Sequence, residues 1–201
     1  MKERIFAFFL FLSISVVSVS AQESFSKWHS SYFDRTFDIK ISNSIKDGVF
    51  DIYVHALDEK NSTNICLNFT SETIVEFKAF LEDVKTKYIE WKNIAIANNV
   101  SEMTKEMDFK TPSCTACWYW GDEWHFSFGV KLKPTFMILD DGRMIAMLLK
   151  EFTASDNRYI TNTLYMVWGC EEDIDSMIAA LNIDEMRAKI NSKINAKQLF
   201  N

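Results

Sequence analysis

The chain has 201 residues, and its 28 Asp and Glu outweigh 22 Lys and Arg to give a net charge of −6. An acidic surface with no basic block repels phosphate backbones, which excludes nucleic acid as an expected partner. Nearly half of the residues are hydrophobic, enough for a substantial core. With only 5 Gly and 2 Pro there is little material for flexible linkers, so one domain is expected.

Residues 1–21 read as a leader. Lys2 and Arg4 precede an apolar run over residues 5–12, and Val19-Ser20-Ala21 supplies a cleavage site before Gln22. The run is short for a spanning helix, and Ser13, Ser15 and Ser18 dilute its continuation. The expectation is therefore cleavage, no membrane span afterwards, and a mature domain over residues 22–201 that is secreted or periplasmic.

Along that domain, Phe37, Ile39 and Ile41 alternate with polar neighbours, as a half-buried strand does. Lys46-Asp47-Gly48 is a turn, and Phe50, Ile52 and Val54 resume the alternation. After a polar turn over residues 59–63, Ile65, Leu67 and Phe69 predict a third strand. Thr70 or Ser71 is the expected cap of a long helix. Its inner stripe runs Ile74, Phe77, Leu81, Val84, Tyr88 and Trp91, and it reaches about Asn98.

Residues 100–112 read as a linker, with Met103 and Met107 able to extend a helix. Trp124, Phe126 and Phe128 alternate, and residues 135–139 predict another strand. Asp140-Asp141-Gly142 turns the chain into a nearly continuous apolar run over residues 144–152. Asp156-Asn157 turns it again before a strand over residues 159–168. Acidic residues 171–173 open a helix with Ile174, Met177, Ile178 and Leu181 inward, and Asp184 is the expected cap of a last helix carrying Met186, Ile190 and Ile194. The expected fold class is α+β. It has an antiparallel sheet of about 6–7 strands in two strand-strand-strand-helix halves, roughly residues 22–108 and 109–201, with helices packed on one face.

Four cysteines remain after cleavage, Cys66, Cys114, Cys117 and Cys170. An even number in an exported chain points to two disulfides, with Cys114–Cys117 and Cys66–Cys170 preferred among three connectivities. Cys114-Thr115-Ala116-Cys117 also has the spacing of a dithiol redox centre. Residues 129–136 and Asp141-Gly142-Arg143 resemble the cis-proline strand and following hairpin of thioredoxin-like proteins. That resemblance implies thiol–disulfide exchange through Cys114 and Cys117. In that family a helix, a strand and a second helix separate the cysteine pair from the proline, and residues 118–133 are too few to hold them. Zinc on Cys114, Cys117, His125 and Cys170 is a weaker reading, because no second close-spaced pair completes the set. No cofactor is expected.

Residues 118–128 are the most aromatic stretch. Gly121-Asp122-Glu123 is expected to form a turn that carries Trp118, Trp120 and Trp124 near a hairpin tip, with His125 beside them. Flat rings beside carboxylates suit a sugar ring or a protein groove. His29, His55 and His125 stand apart in sequence, and no nucleophile elbow, phosphate loop or metalloprotease helix is present. The sequence thus favours an exported, soluble binding protein over an enzyme, with Trp118, Trp120, Trp124 and His125 as binding candidates and a protein or carbohydrate as ligand. Thiol–disulfide exchange through Cys114 and Cys117 is the alternative.

Overall fold

Ile52, Val54 and Ala56 turn one way along β3 (Asp51–Asp58) and Tyr53 and His55 the other, and this strand is the hub of the sheet. The computed structural model describes residues 22–199, so the leader expected over residues 1–21 lies outside the described residues. One edge of β3 pairs along its length with β4 (Ile65–Thr70), from Asp51↔Thr70 to Ala56↔Ile65. The other edge is shared. Ile52 to Val54 pair with β2 (Arg35–Ser42), and Leu57 and Asp58 pair with β10 (Thr161–Trp168).

The sheet therefore forks at β3. One branch is β2 and β1 (Gln22–Ser30); the other runs β10, β9 (Met144–Thr153), β8 (Pro134–Ile138) and β5 (Met103–Glu106). Where β2 leaves β3, the His55 carbonyl accepts the indole N–H of Trp28 at 3.0 Å. A buried acceptor that loses its ladder partner is thereby satisfied by a side chain. Beyond β4 the sheet continues through β6 (Ser113–Trp120) to β7 (Glu123–Lys131), and every strand pair is antiparallel.

Helix α1 (Ile74–Ala97) covers one face with Ile74, Phe77, Phe80, Leu81, Val84 and Tyr88, at the three- and four-residue steps of an amphipathic helix. Phe77 stacks on Phe69 of β4 with centroids 4.5 Å apart. The Tyr88 hydroxyl donates to the Met144 carbonyl at 2.9 Å. Helices α2 (Glu171–Ala180) and α3 (Ile183–Gln198) add Ile174, Met177, Met186 and Ile190 to the same core.

Several expectations change in detail. Among the described residues the sheet has ten strands rather than six or seven. The two halves merge into one sheet, because β6 pairs onto β4 and β10 onto β3. The segment read as a linker contains β5, which pairs with β8. Strand β1 has no apolar alternation in the sequence, because its inward positions include Ser26 and Ser30, whose hydroxyls donate to the Ala180 and Val167 carbonyls. A bulge between Ser24 and Ser26 also breaks its alternation. The cap of α1 is Thr73; Ser71 instead accepts the Phe50 N–H, and no side-chain cap bond forms. Asn182, not Asp184, caps α3, its Oδ1 accepting the Glu185 N–H at 3.3 Å.

Candidate functional site

Gly121 and Asp122 both have positive φ, 60° and 67°, and form a two-residue turn that pairs Trp120 directly with Glu123. Such a turn matches the twist of its strands. It also fixes the faces of everything that follows, because directly opposed residues share a face. Trp118 pairs with His125 and Tyr119 with Trp124, so the three tryptophans divide between the two sides of the sheet.

Trp118 and His125 face the core. Trp118 is fully buried, 6.0 Å from the His125 ring and stacked 6.5 Å from Phe152. His125 donates from Nε2 to the Trp120 carbonyl at 3.2 Å, and its buried Nδ1 has no partner among the described residues. Neither side chain reaches the surface that the sequence suggested for it. Trp120, at the tip, is 39% exposed and carries the Lys60 ammonium 2.9 Å above its ring centroid.

The opposite, outer face joins Tyr119 of β6 to the alternating Trp124, Phe126 and Phe128 of β7. Tyr119 packs edge-on against Trp124 at 5.5 Å. Phe126 and the 68%-exposed Phe128 lie parallel within 4°, 6.3 Å apart. Phe128 shares this face with Trp124 and Phe126 by plain alternation, and past it Phe128 and Gly129 together oppose Thr115, a bulge made possible by Gly129 at φ 63°. The bulge returns Val130 to the core. Strand β7 ends its branch of the sheet, but Ser155 blocks its free edge. Its N–H donates to the Phe126 carbonyl at 2.8 Å, and its Oγ accepts the Phe128 N–H at 3.3 Å. Strand addition is thus closed off at Phe126 to Phe128, while the rings stay open.

Register continues this face inward as a row, His55 opposite Cys66, Cys66 opposite Cys117, and Cys117 opposite Phe126. His55 is buried and donates from Nδ1 to the Thr63 carbonyl at 2.9 Å, and its Nε2 has no partner among the described residues. Burial holds its pKa below the ordinary 6.5. The unfolded chain therefore takes up a proton at His55 before the native chain does, and stability should fall as pH drops through 6.5. Urea titrations from pH 7 to pH 5 should show that slope, and His55→Gln should flatten it. An unchanged slope in the variant would assign the acid sensitivity elsewhere.

The cysteines are not paired as the sequence suggested; all four are free thiols in this structure. Cys114 lies in a strand rather than opening a helix and faces the core beside Val130, whereas Cys117 faces outward across from Cys66. Residues on opposite faces of one strand cannot bring their sulfurs together without breaking the ladder. Burial pushes the Cys114 thiol up to about 12, far from a reactive thiolate. Cys170 sits at the start of α2, next to the Ser31 hydroxyl and the Asp173 carboxylate. Among the described residues no group of three His, Cys, Asp or Glu is placed to hold a metal ion.

Compared with family models, curated proteins and solved structures, the chain matches none.

Proposed function

We propose that this is an exported binding protein whose contact surface is the outer face of β6 and β7, built from Tyr119, Trp124, Phe126 and Phe128. The observation that carries the reading is the parallel Phe126–Phe128 pair, exposed at the edge of a sheet whose backbone there is already occupied by Ser155. Scattered apolar side chains on a surface need no explanation, but contiguous aromatic ones mark contact sites. Rigid rings offer large area at small entropic cost, which suits a carbohydrate ring or an apolar protein groove. The net negative charge argues against a nucleic-acid ligand. Binding rather than turnover is favoured by the separation of Cys114 from Cys117 and by the interior positions of His55 and His125.

The test places a photo-crosslinkable phenylalanine analogue at position 128, with the same group at exposed Ile96 on α1 as control. A discrete adduct at 128 but not at 96, lost in Phe126→Ser, is expected when the exported protein is irradiated in its own medium. Soluble oligosaccharides are screened in parallel by their effect on tryptophan fluorescence. Equal labelling at both positions, together with no fluorescence response to any sugar, would remove the binding-surface reading.

A further inference from the structure

Two buried thiols stand directly opposite one another on neighbouring strands. Cys66 of β4 and Cys117 of β6 are register partners, with 0% and 1% of their surface exposed. Each sulfur lies against the other residue's carbonyl, Cys66 Sγ at 3.6 Å from Cys117 O and Cys117 Sγ at 3.7 Å from Cys66 O. The Tyr119 N–H donates to the Asn64 carbonyl one alternation away, which makes Cys66 and Cys117 a hydrogen-bonded pair of the ladder. Such pairs hold their Cα atoms about 5.5 Å apart, inside the range that disulfides span. Cys114 and Cys170 lack this arrangement, one against Val130 in the core and the other at the start of α2.

We propose that Cys66 and Cys117 form a reversible cross-strand disulfide, and that Cys114 and Cys170 remain thiols. The step needs a small-molecule disulfide as oxidant. One cysteine thiolate attacks a sulfur of that disulfide, whose S–S bond breaks and releases one thiolate. The second cysteine thiolate then attacks the protein-bound sulfur of the mixed disulfide and expels the other. The two protein thiols lose two protons and two electrons, and the oxidant is reduced to two thiols.

Closure draws the Cβ atoms together by roughly 1 Å relative to an ordinary pair of opposed residues, and strain of this kind makes the bond easier to reduce. Access also limits it. Burial, and then contact with the Cys117 thiol, pushes Cys66 well above the ordinary thiol range, so the folded chain offers little thiolate. The bond accordingly forms while β4 and β6 are still open. Export would decide only whether the chain meets the oxidant, so the inference stands apart from the binding surface.

The test refolds the full chain in a glutathione–glutathione disulfide buffer, alkylates it under denaturing conditions, and maps its peptides without reduction. The expected result is one linked pair, Cys66 with Cys117, and alkylation of Cys114 and Cys170. Two of four alkylatable thiols are lost, and the melting temperature rises by about 5–10 °C over the reduced chain. In Cys117→Ser, Cys66 should become alkylatable instead of moving to Cys114 or Cys170. A low dithiothreitol concentration should restore all four thiols once the native chain opens. Linkage of Cys114 to Cys117 or of Cys66 to Cys170, or four alkylated cysteines after refolding in that buffer, would overturn the proposal. The peptide map of the unmodified chain needs no variant to fold.

Discussion

Trp118→Ala should lower stability by about 3–5 kcal/mol, the range for removing a fully buried aromatic whose cavity cannot collapse. The site gives little room for relaxation. Trp118 is held between His125 on β7 and Phe152 on β9, and Ile65 faces it directly from β4. Three strands would have to shift to fill the space. Trp118→Phe should cost much less, because the indole Nε1 is buried with no hydrogen-bond partner among the described residues. Replacing it by a ring edge sheds an unsatisfied donor while keeping most of the packing. Urea unfolding of both variants measures the difference. The half-buried Trp124 makes the control, since Trp124→Ala should be distinctly milder. If Trp118→Ala and Trp124→Ala unfold together, the division of the hairpin into a core face and an outer face is wrong.

Asp173→Ala is expected to cost a similar amount, about 3–5 kcal/mol, for a different reason. Its carboxylate is buried and accepts three hydrogen bonds on Oδ2, from the Ser31 N–H, the Ser31 hydroxyl and the Gly169 N–H, each at 2.8 Å. The Cys170 thiol approaches Oδ1 at 3.5 Å. One side chain thus ties the β1–β2 turn to the start of α2. Removing it takes the shared acceptor away from two backbone donors and a hydroxyl at a part-buried junction. Gly169 packs closely against the turn, where a Cβ would lie 2.5 Å from Ser31 Oγ and 3.1 Å from the Tyr32 nitrogen. Thermal melting should show a drop of about 10–15 °C for Asp173→Ala. Asp175→Ala should move little, since its ion pair with Lys85 is on the surface. Ser31→Ala combined with Asp173→Ala should fall well short of additive, as members of one network do. Equal melting of Asp173→Ala and Asp175→Ala would show that the acidic start of α2 acts only through its charge.

That second case shows where sequence reasoning stopped. Glu171, Glu172, Asp173 and Asp175 look alike as acidic residues at the start of a helix, and for the exposed ones that account is enough. Only the fold, by bringing the turn at Ser31 against Gly169, separates Asp173 from its neighbours. The thiols make the same point. Spacing drew attention to Cys114 and Cys117, three residues apart, whereas the partner of Cys117 is 51 residues away on the adjacent strand. No local pattern contains that distance.

What the sequence by itself determined is whatever depends on local periodicity and on turn chemistry. The alternation of Phe37, Ile39 and Ile41, of Ile52 and Val54, and of Ile65, Leu67 and Phe69 marks three strands. The three- and four-residue steps from Ile74 to Tyr88 mark the long helix, since each pattern has only one backbone period that buries it. Asp47-Gly48 and Gly142 turn the chain where expected, because Gly at φ near 81° relieves a strain that other residues keep. Tertiary structure alone decided the fork at β3, the merging of the two halves and the sides to which Trp118 and Trp124 point. The reason is that a strand's period names two faces without saying which one meets the core. Pairing settles that choice, and in this chain β6 pairs on one side with β4, where Cys117 stands opposite Cys66, 51 residues away.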